Sequence, residues 1–186
     1  RSLRLSADDV CRRAEHYLEE ARSAYEDAGD LACRPNCMRY GAVIQVMVRS
    51  KSLDYTEKID GLMHELLLLD RLDAKQVQMA MCATFQAWTM HSDSKLAIRH
   101  ADLLLDEQLR VAGRLGHRYK PSLRVYTELL RCYRAHQPVG LEDAARQILS
   151  RVKHQGLKTD CVFEKIFARC IDTDVRQSST QQTAIV

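Results

Sequence analysis

The residues with the plainest chemistry are cations. Residues 110–170 carry 13 Lys and Arg against 5 Asp and Glu, while residues 1–109 carry 14 against 18. The net charge of +3 over 186 residues therefore hides a basic C-terminal half. Arg118, Lys120, Arg124, Arg131 and Arg134 are the candidates for phosphate contact, with Lys158, Lys165 and Arg169 behind them. Such side chains neutralise a polyanion and release its counterions, so binding through them weakens steeply with salt. The same charges also read as ordinary solvated helix surface.

Catalytic groups are scattered. His16, His64, His91, His100, His117, His136 and His154 show no ligand spacing, and there is no glycine-rich phosphate loop. Glu142-Asp143 reads as acidic charge at a helix start. A binding protein without a cofactor is expected, not an enzyme. The seven cysteines lack framework spacing, which predicts free thiols in a reducing compartment. Cys33 with Cys37, and Cys132 with His136, are the only tempting metal pairs. Pro35 interrupts the first, and no CxxC occurs, so small buried hydrophobes are the better account.

Helices must position these side chains. Hydrophobic residues make up 46% of the chain, with only 7 Gly and 3 Pro, which favours an all-α fold. No apolar run is long enough to span a bilayer; Leu66 to Leu69 sits between Glu65 and Asp70. Gly116 to Asp160 reads as one helical hairpin. Lys120-Pro121-Ser122 opens it, with proline suited to a first turn. Tyr126, Leu129, Leu130 and Tyr133 form a stripe at helical period. Pro138 and Gly140 break the chain, and Leu141 to Gln155 is the second helix, ended by Gly156.

The stripe recurs. Tyr40–Met47, Met81–Trp88, Tyr126–Tyr133 and Phe163–Cys170 align as octets, with large residues at the first and fifth places. The steps between them are 41, 45 and 37 residues. Self-similarity at this period predicts an α-solenoid of helix-turn-helix hairpins; a helical bundle with accidental likeness is the alternative. Residues 1–30 are expected to be a helix acting as cap or partial repeat, with Val10, Ala14, Tyr17, Leu18, Ala21 and Tyr25 buried. About three and a half hairpins fill 31–172. Leu96, Leu103, Leu104 and Leu109 are available for burial on the second helix of the middle hairpin. Residues 173–186 read as a polar, flexible tail, whose end, Thr183-Ala184-Ile185-Val186, departs from the common form of a carboxy-terminal docking signal.

The octets, with YKPS after Gly116, LKTD after Gly156, RPNCMRYGAVIQVMVRS and AMCATFQAWTMHS, resemble the pentatricopeptide repeat family over roughly Pro35 to Cys170. The resemblance implies an α-solenoid whose first helices line a binding surface, in proteins that mostly bind single-stranded RNA in mitochondria or plastids. It also implies a base-reading pair, here Thr127 with Asp160, whose hydroxyl and carboxylate could hydrogen-bond a splayed base. The matching places in the other units hold Gly41, Cys82 and Glu164, which depart from that pattern.

Two functions stay open at this level. One is an organellar RNA-associated repeat protein, such as a subunit of a mitochondrial ribosome or RNA-processing complex, with other protein subunits as partners and no membrane span. The other is a protein-protein scaffold on the same repeats without RNA contact. The chain begins at Arg1 without Met, which fits removal of an organellar leader.

Overall fold

The computed structural model describes residues 6–182, with side chains through Asp172. Among the described residues the fold is all-helical, with no strand. Eight α-helices follow in order: α1 Ala7–Ala28, α2 Cys37–Ser50, α3 Thr56–Leu67, α4 Ala74–Met90, α5 Ser94–Leu115, α6 Leu123–His136, α7 Leu141–His154 and α8 Cys161–Gln182. Backbone helix thus continues past Thr173, into the segment that composition reads as a loose tail. Thr183 to Val186 lie outside the described residues.

Local chemistry sets the boundaries. Ser6 and Asp9 form a full capping box at α1, and Gly29 ends that helix in the left-handed region at φ 66°. The Asn36 side chain accepts from two backbone N–H groups at the start of α2, and Asp73 and Asp93 cap α4 and α5 by accepting from one each, Gln76 N–H and Leu96 N–H. At α6 the cap is Ser122, so Pro121 sits one residue before the cap rather than in the first helical turn.

The packing order is regular. α2 packs on α4, α4 on α6 and α6 on α8, so these four make one row. Each of α3, α5 and α7 packs against the row helix before it and the one after it. α1 packs on α2 from the same outer position. A row helix flanked on several sides must be apolar on several faces. Accordingly α4 buries Val77, Met81, Phe85 and Trp88 but also Ala80, Ala83 and Ala87. Adjacent row helices come close: a Cβ on the buried Gly41 would stand 3.4 Å from Gln76 Oε1, and Gln45 Nε2 donates to the Met79 carbonyl.

A polar knot joins α3, α4 and α5. The Trp88 indole N–H donates to Asp60 Oδ1 at 3.0 Å, and His100 Nδ1 lies 2.8 Å from Asp60 Oδ2. The His100 ring stacks on Trp88 at 4.5 Å. His64, one turn after Asp60, bonds Glu107 on α5 at 3.0 Å. Asp60 and Trp88 are both buried, so these bonds repay desolvation that would otherwise penalise the carboxylate.

Three apolar expectations need correction. Val10 is 40% and Tyr17 55% exposed, because α1 has no described helix on the edge they share. Leu103 is exposed on α5, beside the turn after α6.

Candidate nucleic-acid interface

Four of the predicted phosphate contacts meet in one groove. Arg131 and Arg134 from α6 and Lys165 and Arg169 from α8 line it, together with Thr89 at the end of α4. The groove encloses about 670 Å³, and no acidic residue among the described ones lines it. Its floor is partly apolar, through Val162 and Ile166. Arg131 Nη1 donates to Glu128 Oε1 at 2.7 Å, and Glu128 is buried. Arg134 and Lys165 make no ion pair among the described residues.

The remaining candidates lie outside the groove. Arg124 is exposed on α6, seven residues before Arg131 and so on the same helix face. Arg118 lies within the short turn His117–Tyr119 that leads into α6, and Lys120 follows it; the Arg118 guanidinium lies 4.9 Å over the Tyr119 ring. Lys158 is exposed in the turn before α8.

Thr127 is placed differently from the base-reading expectation. It is 5% exposed, and its hydroxyl donates to the Leu123 carbonyl of its own helix. In this packing it presents no edge to a base. Asp160 is exposed and accepts from the Phe163 N–H, capping α8. The equivalent Gly41 and Cys82 are buried too, whereas Glu164 on α8 is exposed. On α2, α4 and α6 this place lies within the row packing; α8 has no described row helix beyond it.

The cysteines are free, and Cys11, Cys37, Cys82, Cys132 and Cys170 are buried. Cys37 Sγ accepts from the Asp73 N–H and lies against the Arg71 carbonyl. His136 turns away from Cys132 to Ser94 and to the Trp88 carbonyl. Among the described residues no group of three or more His, Cys, Asp or Glu is placed to hold a metal ion. Burial pushes the Cys82 thiol up to about 11 and the Cys132 thiol up to about 12. Both therefore stay protonated near neutral pH, and the thiolate is the reactive form. A thiol reagent at pH 7.5 is expected to modify exposed Cys161 first and to reach Cys82 and Cys132 only after denaturant is added. Mass mapping of labelled peptides checks this; labelling of Cys132 in the native protein at the rate of Cys161 would contradict the packing.

No described helix is long and apolar enough to cross a membrane. No family model, no curated protein and no solved structure matches the chain.

Proposed function

We propose that the chain is an α-solenoid of pentatricopeptide-like hairpins that binds single-stranded RNA through the row α2, α4, α6 and α8. The observation that carries the reading is the groove in which Arg131, Arg134, Lys165 and Arg169 converge, with no carboxylate among its described lining residues. Support for the solenoid is the alternation of row and outer helices. Phosphate contacts of this kind position a strand without reading its sequence. With Thr127 buried, the groove binds by charge and by the apolar floor against which bases can lie. The resemblance extends the proposal to an organellar ribonucleoprotein, mitochondrial or plastid, in which other subunits complete the site. The reading is of a binding protein, not an enzyme.

Fluorescence anisotropy with a short pool of single-stranded RNA tests it. Log affinity is expected to fall linearly with log salt, with a slope of roughly −0.7 per phosphate contacted. Absence of binding at low salt, or binding indifferent to salt, overturns the reading.

A second reading, a scaffold for protein partners, has its own observation. Ile98 and Leu103 of α5 with Pro138 and Val139 of the next turn line an apolar groove on the outer side, and Val139 is fully exposed. A pull-down that loses partners on Val139→Asp, with RNA affinity unchanged, would favour it.

A further inference from the structure

One face of the outer helix α5 lines a groove on the outer side. Lys95, Ile98, Arg99, Asp102, Leu103 and Asp106 line the groove of about 670 Å³ between α5 and the turn that follows α6. They fall at i, i+3, i+4, i+7, i+8 and i+11, which places them on one side of the helix. All are exposed except Ile98, which is half-buried. Val139, on the turn, is fully exposed at the edge of the groove. Apolar surface gathered in this way gains by being taken out of water.

The charges on this face are sorted along the helix. Lys95 and Arg99 come first, one turn apart, and Asp102 and Asp106 follow, again one turn apart. Like charges four residues apart repel along a helix. None of the four makes an ion pair among the described residues. Asp102 accepts a hydrogen bond from the Tyr133 hydroxyl, which holds its carboxylate at the groove wall. Cations before anions, with apolar residues between, is an order complementary to its own reverse. Laid antiparallel on a second α5, about a two-fold axis level with His100 and Ala101, the face sets Lys95 against Asp106, Arg99 against Asp102 and Ile98 against Leu103. Symmetry makes each pairing twice. A different protein would need the matching order by coincidence, whereas a second copy carries it already.

We infer that the α5 groove seats a second copy of this chain, giving a two-fold dimer built on antiparallel α5 helices. Such a contact is isologous: the same patch serves both subunits, and assembly closes at two chains. Ile98 and Leu103 supply the apolar centre and the four charges the polar rim, with Val139 covered at the edge. The rim pairs fix register and direction more than they add affinity. The dimer is independent of RNA binding, and RNA is left out of the test.

Sedimentation velocity of the 186-residue chain over a micromolar concentration series tests it by charge reversal. The wild type is expected to pass from one chain to two and to stop there. Lys95→Glu places anions together at both ends of the interface, and Asp106→Lys places cations together. Each alone is expected to weaken the dimer about tenfold, since two surface pairs are lost and two repulsions gained. An equimolar mixture restores opposite charges at both ends, so a dimer with one chain of each kind is expected at near wild-type affinity. Both positions are exposed, and circular dichroism melts establish that the variants fold. If either melts early, Val139→Asp, on the turn and not on α5, serves as the block and is expected to weaken the dimer too. A wild-type chain that stays monomeric throughout overturns the inference and leaves the groove to another protein. So does assembly that runs past two chains, substitutions that leave the dimer as tight as wild type, or a mixture no tighter than its components.

Discussion

Trp88→Ala destabilises the fold by about 3–5 kcal/mol, the cost of truncating a fully enclosed aromatic side chain. Trp88 is the only tryptophan, is fully buried, and stands where α3, α4 and α5 meet. Truncation opens a cavity and also strips one donor from the buried Asp60 carboxylate. Trp88→Phe separates the two effects. It keeps most of the packed volume and removes the N–H, so its cost is about 1–3 kcal/mol. His100→Ala belongs to the same group: it removes the second partner of Asp60 and the ring stacked on the indole. Costs in this knot are not additive, since the residues share Asp60. Urea unfolding followed by circular dichroism is the measurement, because the alanine variant loses the fluorescent probe. A Trp88→Ala midpoint within error of wild type would mean that the knot contributes nothing.

The row helices were legible in the sequence because burial leaves a period. Tyr40, Ile44 and Met47, then Met81, Phe85 and Trp88, then Tyr126, Leu130 and Tyr133 are all buried as their octets require. Periodicity reports one stripe, however, and a row helix flanked on several sides buries more than one. That is why Thr127 and Glu128 on α6 lie inside, although their polar side chains read as surface. The knot was illegible for a different reason. Asp60, Trp88 and His100 come from three helices, 28 and 40 residues from Asp60 along the chain, and only Asp60 with His64 shares a helix face. The cationic groove was half legible. Composition marks the basic half, but only packing separates Arg134 and Lys165, which converge, from Arg118, Lys120 and Lys158, which do not. On α1 the stripe containing Val10 and Tyr17 is correct as a pattern and wrong as burial, because a pattern records the need for a neighbour without supplying one.

If the proposed RNA reading holds, replacing Arg131, Arg134 and Lys165 together by Gln is expected to lower affinity for single-stranded RNA about a hundredfold at about 0.1 M salt. Counterion release sets the size: a slope of about 0.7 per phosphate makes each contact worth about fivefold at that concentration, and three compound to about a hundred. The slope of log affinity against log salt should flatten by about 2 in the same variant. Net charge alone changes affinity through the long-range field, so the control removes three outer cations instead. Arg99, Arg114 and Lys153 are exposed on α5 and α7, and their Gln variants change net charge equally. Equal losses in the two triple variants would mean that RNA responds to the overall field and not to the groove. Arg131 needs separate treatment, since Arg131→Gln leaves the buried Glu128 carboxylate without its ionic partner and can loosen α6 by itself. The Arg134→Gln, Lys165→Gln pair avoids that liability, as neither residue has an ion pair among the described residues. Its expected loss is about twenty-five-fold, with an unchanged melting curve. A pair variant that binds as wild type would show that the groove cations are solvated surface, and the row would then be a platform for protein partners.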